Sequence, residues 1–464
     1  MRNVRHHSWQ LIPVIISLAW PTMLEQMMQT AVQYIDTAMV GSLGTQATAA
    51  VGTTTTINWL INSTISALGV GFLAYISQAF GAGEEYRAKK ASSQAVLITL
   101  LTGSVFTFIT LGLSKQIPVW MQAVPEIREL ASTYFFILYS PMLFRTATII
   151  FGTILRAAGD TRTPMRIGIG VNLINVILNF LLIYPTREAF GILIPGAGLG
   201  VVGAAIASAI AFAFGGIAIT IKLWMHPVLS PGNLSLKPDW TVLKPCLKVA
   251  LPNALQRFGT SFGYVAFASM INSIGEMATA AHTIANTVES AFYIPGYGMQ
   301  TAAATLAGNA FGAGEYKRIR ALGRMIVLIE VSLMVVSGGL LFVFAPNMMS
   351  LFSVDQQVIF LGACVLRMVA VSEPFYGISI VLEGMLQGMG KTVIPFVCNI
   401  IGMWGIRIVG TYICTQLLGM GLISAWACMI AHNMLLFTMF VVYYLSGKWY
   451  PEWKNKEKIF EKST

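Results

Sequence analysis

Long apolar runs separated by short polar connections dominate this chain. Twelve runs approach or exceed the roughly 20 residues that a helix needs to cross a bilayer. They lie near 13–40, 48–79, 92–114, 130–155, 166–184, 196–221, 248–270, 278–310, 324–346, 360–386, 394–417 and 421–446. An even number of crossings puts both termini on one side. One connection on that side is long, about Lys222 to Lys248, and its Pro227, Pro231, Gly232 and Pro238 read as a linker. The pattern predicts an all-α membrane protein of 12 transmembrane helices. Its expected segments are 1–221 (spans 1–6), 222–247 (cytoplasmic linker), 248–446 (spans 7–12) and 447–464 (cytoplasmic tail).

Composition agrees. Hydrophobic residues are 56% of 464 and charged ones 10%, whereas a soluble domain carries about a quarter charged residues. Most of the exterior must therefore face lipid. The 24 Met and 26 Phe suit lipid-facing packing or an adaptable apolar cavity. A net charge of +10 does not point to nucleic acid, because the basic residues are spread over short loops between spans. Of 29 Lys and Arg, 22 fall on the side holding both termini and 3 (Lys115, Arg128, Arg187) on the other. The remaining 4 (Arg145, Arg257, Arg367, Arg407) lie within spans. That asymmetry places both termini in the cytoplasm. The basic stretch Met1–Gln10 runs into a full-length span and reads as a tail, not a cleavable signal. The five cysteines show no metal spacing and read as small core residues.

Displacing the chain by 231 residues aligns its halves without a gap. VGSLGTQATAA (40–50) meets INSIGEMATAA (271–281), QAFGAGE (78–84) meets NAFGAGE (309–315), and LRAAGDTRTP (155–164) meets LQGMGKTVIP (386–395). The chain is a tandem duplication of a six-helix unit. Six is even, so both copies enter the membrane in one orientation, and two bundles related by a pseudo-two-fold axis along the membrane normal are expected. GAGE, GDTRTP and GKTVIP read as turns, their glycines permitting the left-handed residue after a helix end.

Ionisable residues within spans need a separate reason. A charge at bilayer depth costs about 2.5–3.5 kcal/mol or more, and faces a polar cavity or a partner. Glu25 and Asp36, eleven residues apart, share a face of span 1 to within about 20°. Asn172, Asn175 and Asn179 form an amide stripe on span 5. The second half has Gln256 and Phe267 opposite the two acids, and Met403, Ile406 and Gly410 opposite the amides. A carboxylate beside amide oxygens can hold a proton or a small hard cation. Interhelical hydrogen-bond glue is the plainer reading. The second half has its own acids. Glu289 lies in span 8 before Pro295, which permits a hinge. Glu373 and Glu383 lie in span 10. Plainer readings are Glu289 pairing with His282 or Arg257, Glu383 snorkelling to the cytoplasmic interface, and Arg407 as a structural counter-ion. Glu330 carries no assignment.

Seven segments together carry a family resemblance: YIDTAMVGSLG (34–44), QAFGAGE (78–84), LRAAGDTRTP (155–164), AAHTIANTVES (280–290), PGYGM (295–299), GNAFGAGE (308–315) and EPFYGISIVLEGMLQGMGKT (373–392). Over nearly its whole length the chain resembles the multidrug and toxic compound extrusion (MATE) transporters, prokaryotic type. The resemblance implies a V-shaped pair of six-helix bundles that alternate between outward- and inward-open forms, coupled to H+ or Na+. It assigns the first-span aspartate to Asp36 and the fifth-span pair to Asn175 and Asn179, where this chain has an amide in place of the second acid. A sixth-span hydroxyl falls on Ser208. Gln256 stands where relatives often carry Glu, and Glu373 and Tyr376 are nearest to the acid some members carry in span 10. The loop Thr186–Gly196 is longer than in many members.

The expected function is multidrug efflux. Cationic, lipophilic compounds would leave in exchange for H+ or Na+ across a prokaryotic cell membrane. The expected cation-coupling set is Asp36, Asn175, Asn179, Ser208 and Glu25, and the expected second-half cavity set is Glu289, Gln256, Glu373 and Tyr376. No cofactor and no permanent metal are expected, only a transient Na+ at Asp36. The expected partners are small-molecule drugs and membrane lipid, with no nucleic acid, and the expected state is a monomer. The alternative is a lipid-linked oligosaccharide flippase of the same superfamily, which should line its cavity with basic residues for pyrophosphate. A membrane enzyme would need a catalytic set that five scattered histidines do not supply. A channel would show current uncoupled from a second ion.

Overall fold

The computed structural model describes residues 10–121, 123–189, 192–232 and 236–449, with the side chains of 53, 55, 56, 189, 192 and 194 excepted. The tails at 1–9 and 450–464, read above as cytoplasmic, lie outside the described residues.

The first half begins with α1 (Leu11–Gly41), α2 (Thr45–Gly81) and α3 (Glu85–Gly112). A short α4 (Ile117–Trp120) leads to α5 (Pro125–Tyr139), α6 (Met142–Ala157) and α7 (Arg162–Leu182). A hairpin of β1 (Pro185–Ala189) and β2 (Ile192–Ala197) leads to α8 (Gly200–Trp224). The second half contains α9 (Trp240–Asn272), α10 (Glu276–Phe292), α11 (Ile294–Gly312), α12 (Tyr316–Ser350) and α13 (Gln356–Gly388). It ends with α14 (Val393–Leu417) and α15 (Leu422–Ser446). Among the described residues, nine helices are long and apolar enough to cross a membrane, ten if the bent pair α5–α6 counts as one. Taking α10–α11 as a further broken span and adding α9 gives the twelve rods expected.

Apolar composition explains why these segments are helices: in lipid every backbone donor and acceptor must be satisfied within the segment. Hydroxyls within the helices obey the same demand. Thr102 donates to the Ile98 carbonyl at 2.6 Å and Thr146 to that of Met142 at 2.8 Å. The duplicated turns have duplicated geometry. Gly83 and Gly314 sit at φ +73° and +69°, Gly159 and Gly390 at +90° and +74°, where a side chain would be strained.

The described residues divide into two compact units. One falls within 24–80 and 84–247; the other comprises 10–23, 81–83 and 248–449. In the first, Met39, Val40, Ile183, Val201 and Ala204 form a core near the hairpin. In the second, Met299, Leu306, Leu382, Met385 and Phe440 pack one core, and Phe267, Leu341, Leu366 and Trp426 another.

The structure departs from expectation in four places. Span 4 bends by 49° between α5 and α6, at Pro141, which supplies no N–H. Span 8 is interrupted at Tyr293, with Pro295 in the first turn of α11. Thr186–Gly196 belongs to an antiparallel two-stranded ribbon, not to a helix or open loop. The long helix α14 winds as π-helix over Ile401–Ile408 and Ile413–Leu417.

Candidate functional site

Asp36 lies one and a half turns before the end of α1, half-buried, on the wall of a cavity of about 500 Å³ within the first-half unit. The amide stripe of α7 faces it. Asn179 Nδ2 donates to Asp36 Oδ1 at 2.6 Å and contacts Asn175 Oδ1 at 3.1 Å; Asn175 in turn meets Ser208 Oγ at 3.0 Å. Three helices thus converge on one carboxylate. Small residues make this possible: Ala204, Ala207 and Ala211 surround Ser208 on α8, and a Cβ at Gly203 would lie 2.5 Å from the Leu182 carbonyl oxygen.

The Asn175 amide has two orientations. In one its oxygen faces the carboxylate. Turned over, its nitrogen donates to Asp36 Oδ1 and Oδ2 at 3.0 Å each, while its oxygen accepts from Ser208 Oγ at 3.0 Å. Charge chooses between them. An anionic carboxylate attracts the NH2; a carboxyl holding a proton or metal ion attracts the oxygen. Asn175, Asn179 and Ser208 therefore gather around Asp36 as the sequence implied.

Glu25 does not join them. Arg156 Nη2 of α6 donates to both of its oxygens, at 2.7 and 2.6 Å, and Glu25 is absent from the cavity wall. Its placement with Asp36 is corrected: helix phase put both acids on one face, but three turns separate them, and Arg156 claims the inner one.

In the second half, Glu289 is buried and accepts from the Tyr293 hydroxyl, not from His282 or Arg257. His282 accepts from Trp426 Nε1 at 3.2 Å, and Arg257 Nε donates to Asn253 at 3.0 Å. The Tyr293 ring meets Tyr376 edge-on, centroids 5.2 Å apart. Glu373 is 1% exposed, and neither carboxyl oxygen has a hydrogen-bond partner among the described residues. Gln256 parts from this cluster. Its Nε2 donates to Glu383 Oε1 at 2.8 Å, and Gln387 and Asn399 add bonds at 3.0 and 3.3 Å. Glu383 is fixed by amides and does not snorkel. Arg407 has no ion pair among the described residues; its guanidinium lies over Phe267 at 4.2 Å and Tyr264 at 4.9 Å.

Two residues gain a place that the sequence did not give them. Glu330 is 0% exposed with both oxygens unpartnered among the described residues. A Cβ at Gly377 would lie 2.8 Å from its Oε1 and one at Gly296 3.0 Å, so these motif glycines make room for it. Arg145 lines the Asp36 cavity. Its position within a span carries the same energetic signal that marked Asp36.

The MatE family profile matches residues 21–181 and 252–413. The chain belongs to the MatE family. The two matched stretches begin 231 residues apart, the offset of the internal duplication. Among MatE relatives, the "Probable multidrug resistance protein NorM" of Thermotoga maritima is 27% identical over 435 residues, covering 94% of this chain and 92% of its own. The "Probable multidrug resistance protein YpnP" of Bacillus subtilis is 28% identical over 400 residues, covering 85% and 86%. Solved structures share the fold. A MOP superfamily transporter from Pyrococcus furiosus superposes with TM-score 0.83 at 23% identity, over 93% of this chain and 94% of that one. The MATE transporter VcmN of Vibrio cholerae gives 0.85 at 19%, over 96% and 99%.

Proposed function

We propose that this MatE protein is a multidrug efflux antiporter of a prokaryotic cell membrane, both termini cytoplasmic, that exports cationic, lipophilic organic compounds in exchange for H+ or Na+ by alternating access. One observation carries the reading. Asp36 opens onto a cavity of about 500 Å³ and, among the described residues, no Lys or Arg is ion-paired with it. A carboxylate at such depth needs a cation, and a mobile one has room to come and go. The names of the relatives support the substrate class.

In this mechanism the empty carboxylate is held by the amide nitrogens of Asn179 and Asn175. Arrival of H+ or Na+ turns the Asn175 oxygen toward it, with Ser208 free to donate or accept at the other end of the amide. Neutral Asp36 no longer attracts a cationic substrate, which leaves outward. The halves 1–221 and 248–446 are the moving bodies, with Pro295 at a hinge, and Glu289, Glu373 and Tyr376 supply the second-half contacts.

Everted membrane vesicles test it. Dye or drug accumulation driven by a pH gradient alone, and by a Na+ gradient alone, identifies the coupling ion. Asp36→Asn should bring both to background with the protein present at normal level. Gradient-driven uptake at wild-type rates in that variant ends the proposal.

A further inference from the structure

Arg145 is 8% exposed, and its Nη1 has no hydrogen-bond partner among the described residues. No Asp or Glu is ion-paired with it among those residues. Its guanidinium packs against aromatic rings instead, 4.6 Å from the Phe212 centroid and 5.8 Å from that of Tyr139. Ring contacts serve its faces but leave in-plane donors available, and a guanidinium has five. It keeps its charge at any accessible pH. A charge at this depth without an anion is an incomplete arrangement.

The cavity supplies the context. Arg145 is the only Lys or Arg among the described cavity-lining residues, and Asp36 the only Asp or Glu. Between them the wall is amide and aromatic: Asn58, Asn62, Trp59 and Tyr134. The Tyr139 hydroxyl donates to Asn58 Oδ1 at 2.9 Å and its oxygen accepts from the Arg145 guanidinium, but amide and phenol are both neutral and neither supplies an anion. One positive and one negative group in one chamber is the electrostatic complement of a zwitterion.

We propose that Arg145 is an anion-recognition residue of the first-half cavity, which takes amines that also carry a carboxylate, the carboxylate going to Arg145 and the ammonium to the Asp36 side. The proposal deepens the antiport reading and rests on it for the direction of transport, but not for binding. A diphosphate headgroup fits less well, because it would need more than one cation and the described wall offers one.

The test uses the purified full-length protein and calorimetric titration, without any gradient. The probes are 4′-(aminomethyl)biphenyl-4-carboxylate and its methyl ester, which differ in the anion alone. A charge-assisted contact of this kind is worth roughly tenfold or more in affinity, so the wild type should bind the acid about tenfold more tightly than the ester. Arg145→Gln should bring that ratio close to one, and Arg145→Lys should restore part of it. A ratio unchanged in Arg145→Gln assigns the arginine to packing and overturns the proposal. Should that variant fail to fold, the wild type decides, since tighter binding of the ester than of the acid also overturns it. Inorganic pyrophosphate that displaces the acid better than benzoate does would overturn the carboxylate assignment. A wild-type acid-to-ester ratio near one with Asp36-dependent uptake intact sinks this inference alone; a tenfold wild-type ratio with uptake unaffected by Asp36→Asn sinks the antiport reading alone.

Discussion

Asp36 in the first half and Glu330 in the second are carboxyls within helices of matching bundles, housed in opposite ways. Asp36 is half-exposed to a cavity and ringed by amides. Glu330 is wholly enclosed, its nearest surroundings the space left by Gly296 and Gly377 and the Met334 side chain. Counterpart positions show how the halves diverged. Asp36 corresponds to Phe267, and where the first half has a cavity the second has that ring packed under Arg407. The Glu25–Arg156 ion pair corresponds to Gln256 and Gln387, both amides now serving Glu383. The duplication kept the turns and helix ends and exchanged the polar interior. One half keeps its carboxyl on a cavity wall; the other encloses it.

That contrast can be broken in graded ways. The largest expected effect is on the sealed half: Phe267→Ala, at a site 1% exposed, should cost about 3–5 kcal/mol, read as a lowered thermal midpoint in detergent. Giving the first half the second half's residues, Asn175→Ile with Asn179→Gly, keeps Asp36 but removes its partners. Transport should fall more than tenfold, while the same vesicles retain normal protein. Glu25→Gln leaves Arg156 without its carboxylate and should destabilise by roughly 1–2 kcal/mol. Glu383→Gln should be milder, because an amide oxygen accepts some of the same bonds. Equal losses from the two would erase the distinction between ion pair and amide cradle.

The smallest effect concerns the linker. Gln94 holds it through the Lys237 carbonyl and the Asp239 N–H, both at 2.9 Å, and Asp239 caps α9 through Thr241. Lys90 and then Thr241 pull the Asp239 carboxyl down to about 2. A depressed carboxyl contributes in full above its ordinary value and loses its contribution only as pH falls through the lowered one. Tryptic cleavage near Lys237 should therefore be the same at pH 8 and after exposure to pH 4, and should rise in Gln94→Ala at both.

Much of this was legible in the sequence. Hydropathy gave the rods, the 231-residue offset gave the halves, and Gly83, Gly159, Gly314 and Gly390 gave the turns. Asp36, Asn175 and Asn179 were legible because charge and amides in lipid need a reason. Glu25 misled, since helix phase records direction but not depth, and Arg156 lies 131 residues away. Glu330 was legible only as an anomaly, because nothing local shows that two distant glycines open a space for it. The bend in α5–α6 was not legible in the run 130–155, because a proline inside an apolar stretch does not by itself give an angle. The π-helical winding of α14 left no sequence sign at all.

That winding has an evolutionary corollary. A π turn holds a surplus residue relative to ordinary α-helical spacing. Deleting one residue within Ile401–Ile408 can therefore be absorbed by tightening the coil, whereas the same deletion in α7 would swing everything beyond it by about 100° and carry Asn179 off its face. Length variation among descendants of this gene should accumulate in the eleventh crossing and be purged from the fifth.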